Sequence, residues 1–263
     1  MRLGDDQEPH RAREVAESFG ADPGRYDRAR PRYPAALVEA VVAASPGRDV
    51  LDVGCGTGIA ARQFQAAGCR VLGVDVDERM AAFARERGVE VEVASFETWE
   101  PAGRAFDAVV AGQTWHWIDP NVGPAKAGDV LRPGGRLALF WNVFDPEPEI
   151  AAALSAVYRE VMSDWDPWRV SPVAAYSRIL ATLAEGIRGT GTFGEPEQWR
   201  FDWERSYTRG EWLDTVASGG DASRFSPGEL ERVLAGVGAR VDALGGELTM
   251  RYAALVLTAE SRG

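Results

Sequence analysis

Between residues 49 and 144 short apolar runs alternate with stretches whose apolar positions recur at helical spacing. The runs predict strands at 49–53, 70–75, Val89–Ala94, Phe106–Ala111 and Arg136–Trp141. Between them the spacing predicts a helix from about Ile59, another over 77–87 with Met80, Ala81, Phe83 and Ala84 inward, and a third over Val122–Val130. Strand and helix in strict alternation imply an α/β sheet with parallel strands. Residues 1–34 are polar and read as irregular, with a short helix expected near Arg11–Phe19, and a helix over Ala35–Ala44, with Leu37, Val38, Val41 and Val42 on one face, precedes the alternating region. After residue 145 the alternation stops. Ile150, Leu154, Val157 and Val161 mark one helix, Val173–Ala184 a second, and glycines from Gly186 to Gly194 end the segment. A strand over Glu197–Tyr207, a helix over Ser226–Gly236 and a strand over Glu247–Ala259 complete the chain. The helix has Ser226, Pro227 and Glu229 as its start signal.

The chemistry concentrates in the first punctuation mark. Asp49-Val50-Leu51-Asp52-Val53-Gly54-Cys55-Gly56-Thr57-Gly58 runs a strand into a glycine turn and then a helix. Glycines at alternate positions remove the side chains where a ligand approaches the backbone. Val71-Leu72-Gly73-Val74-Asp75 is a second strand ending on a carboxylate, placed to hold a ribose. The spacing is not that of a dinucleotide fingerprint, whose third glycine would fall on Ile59. Nor does a lysine followed by Ser or Thr make a phosphate loop.

Gly-x-Gly-x-Gly after Leu-Asp resembles motif I of the class I S-adenosylmethionine-dependent methyltransferases. Tyr26, then Arg30-Pro31-Arg32-Tyr33-Pro34, is similar to the lead-in of a small-molecule subgroup that includes trans-aconitate-type enzymes. Ala111-Gly112-Gln113-Thr114-Trp115-His116-Trp117 resembles the fourth-strand segment of that subgroup, and it lacks the Asn-Pro-Pro-Tyr type motif of enzymes that methylate base amino groups. The resemblance implies a Rossmann-like seven-stranded sheet, mostly parallel with an antiparallel last strand, plus a helical cap insertion. It implies one domain over 1–263, made of an N-terminal cap (1–34), a cofactor-binding core (35–144), a helical insertion over the substrate site (145–196), and closing strands and helix (197–263).

Carried over residue by residue, Asp52, Gly54, Cys55 and Gly56 line the methionine end of S-adenosyl-L-methionine, and Asp75 holds its ribose. Val76 packs on the adenine. Ser95 stands where many relatives have an Asp, so the contact to the adenine amino group is weaker there, and Phe96 offers its ring. Ala111 and Gln113 approach the sulfonium, and Tyr26 and Arg30 close the cap. Tyr33, Trp115, Trp141, Trp165 and Trp168 are expected to wall the acceptor, whereas Trp199, Trp203 and Trp212 read as packing residues. His116 is the candidate general base; the alternative is a packed histidine that orients its loop. Arg30 or Arg32 can pair with an acceptor carboxylate if the cap folds inward.

Composition narrows the partners. With 40 acidic against 29 basic residues the net charge is −11, which disfavours long nucleic acids. No apolar run is long enough to span a bilayer, and the acidic start lacks a secretory signal, so a cytoplasmic location is expected. Two cysteines, Cys55 and Cys69, and two histidines, His10 and His116, do not make a metal set. The expected function is methyl transfer to an oxygen, hydroxyl or carboxylate, of a small apolar or aromatic metabolite. The alternatives are a repurposed or regulatory cofactor-binding protein, or a protein methyltransferase. The oligomeric state is not legible.

Overall fold

The computed structural model describes residues 19–263. The helix expected near Arg11–Phe19 lies outside the described residues save for its last, and the described chain begins with a 3-10 turn, Phe19–Ala21. The elements that follow are α1 (Pro23–Ala29), α2 (Ala35–Ala43), β1 (Asp49–Val53), α3 (Ile59–Ala66), β2 (Arg70–Asp75), α4 (Glu78–Arg85), β3 (Glu90–Val93) and β4 (Phe106–Gly112). Next come α5 (Gly123–Val130), β5 (Leu131–Phe144), α6 (Pro148–Val161), α7 (Pro172–Thr190), β6 (Glu197–Thr208), α8 (Arg209–Ala217), α9 (Pro227–Ala243) and β7 (Glu247–Glu260).

The seven strands form one sheet in the order β3-β2-β1-β4-β5-β7-β6. β3, β2, β1, β4 and β5 pair in parallel. β7 lies antiparallel between β5 and β6, so it alone is reversed. The chain order turns back between β1 and β4, and a doubly wound sheet opens a ligand crevice at the carboxyl ends of strands at such a point.

Successive side chains of a strand face opposite ways, and both faces are covered. Leu51, Val53, Val109, Leu137 and Leu139 pack with Leu180, Ala184 and Ile187 of α7. Val50, Val110, Ala138 and Phe140 pack with Leu37 and Val41 of α2 and Phe64 of α3. Leu37 and Val41 are fully buried, each contributing about 1.5–3 kcal/mol relative to exposure. The β6–β7 ladder is longer than its neighbours, and its overhang packs Tyr207, Leu248, Met250 and Tyr252 against α6, α8 and α9.

Four expectations need correction. The leader expected to be irregular contains α1, started by Asp22, whose side chain accepts from the Arg25 N–H, and by Pro23 in the first turn. α7 does not stop near Ala184. It runs through Gly186 and Gly189 and ends at Gly191, whose φ of 72° provides the left-handed cap. β5 continues past Trp141 to Phe144 because β7 supplies partners as far as the Phe144–Tyr252 pair. Helix α8 was not expected, yet Thr208 and Glu211 form a full capping box at its start. No helix among the described residues is long and apolar enough to cross a membrane.

Candidate active site

The turn after β1 is held by its neighbour strand. The N–H groups of Gly54 and Cys55 both donate to the Val74 carbonyl, at 2.7 and 3.2 Å. Gly54 has a φ of 64°, and a Cβ there would stand 1.9 Å from the Thr114 methyl carbon. Only glycine lets the β1 and β4 loops touch, and Thr114 Oγ1 donates to the Gly54 carbonyl at 3.0 Å. Gly56, at φ 54°, is different: a Cβ would meet nothing nearer than 4.0 Å, so its outer side is open.

Two carboxylates frame this turn. Asp75, at the end of β2, accepts from the Gly56 N–H at 2.7 Å and the Asp77 N–H at 2.9 Å. Burial raises its pKa, and these backbone bonds pull it back. Asp52 is 1% exposed, and its Oδ2 has no hydrogen-bond partner. Burial outweighs a backbone bond from Ala61 and pushes its pKa to about 8, with Asp75 adding to the rise.

From this turn a cavity of about 940 Å³ extends across the crevice. Its lining takes in Asp52, Gly54, Cys55 and Gly56 of the glycine turn and Leu154, Tyr158, Trp165, Trp168 and Trp212 of the later helices and loops. Tyr26, Arg30, Tyr33, Gln113, Trp115 and His116 line it as well. Part of the lining is an aromatic cluster: Phe144 lies 5.7 Å from both Trp168 and Trp212 and 5.2 Å from Tyr252. The indole nitrogens of Trp168 and Trp212 are buried and have no partner.

The N-terminal segment is tied down on two sides. Asp27 receives Arg62 at 2.6 Å and Arg32 at 3.0 Å. Burial alone would raise its pKa, but bonds from Arg32, Arg62 and Thr57 leave it lowered. Arg62 also donates to the Thr57 carbonyl at 2.6 Å, joining α1 to the glycine turn. On the other side Arg25 pairs with Asp214 and Arg30 donates to the Ser218 carbonyl at 2.6 Å, both on the α8 side of the cavity. Arg32 is thereby paired with Asp27, and it does not line the cavity.

Gln113 has a φ of 62°, unusual for a residue with a side chain, and strain of this kind persists only where surroundings impose it. Its N–H donates to the Phe140 carbonyl and its Nε2 to the Asn142 carbonyl at 3.0 Å. Asn142 in turn donates to the Arg32 carbonyl and accepts from Trp203 Nε1 at 3.1 Å.

Several expected residues sit elsewhere than on the cavity. Trp141 is fully buried beneath α7 and does not line it; its indole N–H reaches His116 Nδ1 at 3.4 Å. Phe96 is 2% exposed and packs on Trp115 at 6.0 Å, so its ring belongs to the core. Ala111 is fully buried within β4. Val76 is exposed, and Ser95 is half-buried with its hydroxyl on Thr98. Trp212, read as a packing residue, lines the cavity. Tyr158, Tyr176 and Asn142 were not anticipated. Only the helical spacing of Tyr158 with Leu154 signals its direction, and nothing local marks Asn142.

Comparisons with known proteins agree with this architecture. A methyltransferase-domain family model matches residues 50–135. An uncharacterized methyltransferase of Mycobacterium tuberculosis (strain ATCC 25618 / H37Rv) is 38% identical over 213 residues, covering 78% of each chain. The chain belongs to the class I S-adenosylmethionine-dependent methyltransferases. This methyltransferase is also 30% identical to a demethylmenaquinone methyltransferase of Mycobacterium sp. (strain JLS), over 70% of its own length and 80% of the relative's. A structure provisionally assigned as a type II methyltransferase of Anaeromyxobacter dehalogenans superposes with a TM-score of 0.65 at 25% identity, covering 88% of the methyltransferase and 97% of that chain. The cofactor is S-adenosyl-L-methionine. The residues present fit such a group. The unpaired, buried Asp52 oxygen suits a cationic ligand, and the open side of Gly56 beside Asp75 suits a nucleoside.

Proposed function

We propose that the methyltransferase transfers the methyl group of S-adenosylmethionine to an oxygen of a small, apolar or aromatic metabolite bearing a hydroxyl or carboxylate. The observation that carries this reading is the continuity of the cavity. One space of about 940 Å³ joins the glycine turn to the aromatic cluster of Phe144, Trp165, Trp168 and Trp212. Its size and mainly apolar lining match small-molecule sites rather than a groove for a polypeptide. The likeness to a demethylmenaquinone methyltransferase, whose named acceptor is an apolar quinone, supports an acceptor of this polarity.

The residues divide the work. Asp52 is placed to receive the amino group of the cofactor, Gly54, Cys55 and Gly56 to seat its methionine portion, and Asp75 to accept from its ribose hydroxyls. Val76 and Ser95 border the open end, where an adenine would lie. When bound, the cofactor supplies a methyl group on a positively charged sulfur. Tyr26, Arg30 and Tyr33 close the cavity from the N-terminal side. Gln113, held in its left-handed conformation, and Trp115 fix the floor between the two ends. Trp165 and Trp168 form the far wall, which excludes water and orients the acceptor. Alignment of this kind is worth about 7–11 kcal/mol of barrier.

A methylation screen tests the reading. Labelled S-adenosylmethionine is offered together with small phenols, carboxylic acids, RNA, DNA and protein extracts. Label is expected in oxygen-methylated small molecules. Transfer confined to the macromolecular fractions would overturn it and favour a protein or nucleic-acid methyltransferase.

A further inference from the structure

His116 has a defined orientation. It sits in the 3-10 turn Trp115–Trp117, lines the cavity, and lies 4.8 Å from the Trp117 ring. Its Nδ1 faces the core, where the buried Trp141 Nε1–H approaches at 3.4 Å. An indole nitrogen only donates. Nδ1 must therefore be the bare, accepting nitrogen, and in a neutral ring the proton then resides on Nε2. That leaves the Nε2–H edge of the ring for the cavity.

Other groups facing the cavity do not supply a free base. Its charged residues are Arg30, Asp52, Asp166, Arg178 and Asp221. Asp166 accepts from Ser155 and from the Trp168 N–H, and Asp221 pairs with Arg224. Asp52 belongs to the strand that leads into the glycine turn. The hydroxyls of Tyr33, Tyr158, Tyr176 and Tyr252 are pushed up by burial, Tyr176 to about 12, so they stay protonated. The rings of Trp168 and Trp212 line the same space, and their indole N–H groups are buried without partners.

We propose that Trp141 locks His116 in the Nε2–H tautomer, so that His116 donates to the methyl-accepting oxygen instead of deprotonating it, and that the acceptor is an oxygen acid that enters already ionised. The proposal rests on the methyl-transfer reading above and names its acceptor class. A lone pair of the acceptor oxyanion forms the new C–O bond as the carbon–sulfur bond breaks, and that bond's electron pair stays on sulfur. An anion and a sulfonium become two neutral products, so no proton has to leave and no base is needed. Trp141 is here a positioning residue. Burial also drives the His116 pKa down to about 3, which keeps the ring neutral at working pH.

The tautomer is readable on the protein alone. Long-range 1H–15N correlation on 15N-histidine-labelled protein, with His116→Gln to assign the signals against His10, is expected to show Nδ1 bare and Nε2 protonated from about pH 5.5 to 8. Trp141→Phe, which keeps the bulk and removes the donor, is expected to mix the two tautomers and to lower kcat by about tenfold. His116→Gln, still a donor, is expected to keep activity within about tenfold, with His116→Leu falling well below it. Carboxylic acids and strongly acidic phenols should be methylated, and simple alcohols of the same shape should not. A proton on Nδ1, an imidazolium in this pH range, a Trp141→Phe variant with an unchanged tautomer, or alcohols methylated as fast as acids would overturn the proposal. A protonated Nε2 with no small molecule methylated would instead leave the tautomer standing and remove the proposed function beneath it.

Discussion

Asp52→Asn is expected to move stability and cofactor binding in opposite directions. The carboxyl titrates near 3.8 in an unfolded chain and at about 8 in the fold. Between those values the folded protein holds a proton that the unfolded chain releases, so stability falls as pH rises through this window and levels off above about 8. Below about pH 3.8 both states are protonated and the penalty vanishes. At pH 7 the substitution removes a cost on the order of 2–4 kcal/mol, enough to raise the Tm of the ligand-free protein by several degrees. The same change deletes a charged acceptor for the cofactor's amino group. A charge-assisted hydrogen bond is worth about 1.5–3 kcal/mol, so S-adenosylmethionine should bind about 10- to 100-fold more weakly. Binding to the native protein near pH 7 should also release a proton, measurable by calorimetry in buffers of different protonation enthalpy, and the variant should release none. A variant with unchanged Tm and unchanged affinity would remove Asp52 from the site.

Asp75→Ala should have the larger effect on binding. Its carboxylate already accepts two backbone N–H groups, from Gly56 and Asp77, but a carboxylate has about four acceptor positions. Two remain for a pair of ribose hydroxyls. Losing both should weaken S-adenosylmethionine and its demethylated product by about 10²-fold or more, read by titration calorimetry. A thermal melt of the variant checks that the glycine turn survives loss of the Gly56 bond. Equal affinity in a folded variant would show that the strand-end acid serves only to brace the turn.

The central frame was legible because its strands are buried on both faces. Val50-Leu51, Val71-Leu72 and Val109-Val110-Ala111 must then be continuous apolar runs, which few other elements tolerate at that length. The glycine turn was legible because its close contact with Thr114 excludes a side chain. The same two-sided burial explains why Trp141 could not be separated from the cavity walls. In a strand covered on both faces, apolar residues alternate between two interiors and not between core and crevice. α1 and α8 escaped notice because short helices carry little periodicity, although Asp22-Pro23 and Thr208/Glu211 are start signals. The extension of α7 through Gly186 and Gly189 reflects tertiary packing of Leu180, Ala184 and Ile187 overriding low helix propensity. Trp212 and Tyr158 reach the cavity only through the folding-over of distant segments, which no local pattern records.

Asn142 carries a consequence for how substitutions combine. A single side chain and its carbonyl hold the Arg32 backbone, the Gln113 amide and the Trp203 indole. The N-terminal leader, the β4 loop and the edge strand β6 therefore share one hydrogen-bonded node. Residues that share a partner do not contribute independently. Effects measured at Gln113 and Trp203 are thus not separate entries in a sum: each depends on whether the node is still intact, and the apparent importance of either residue is a property of the pair.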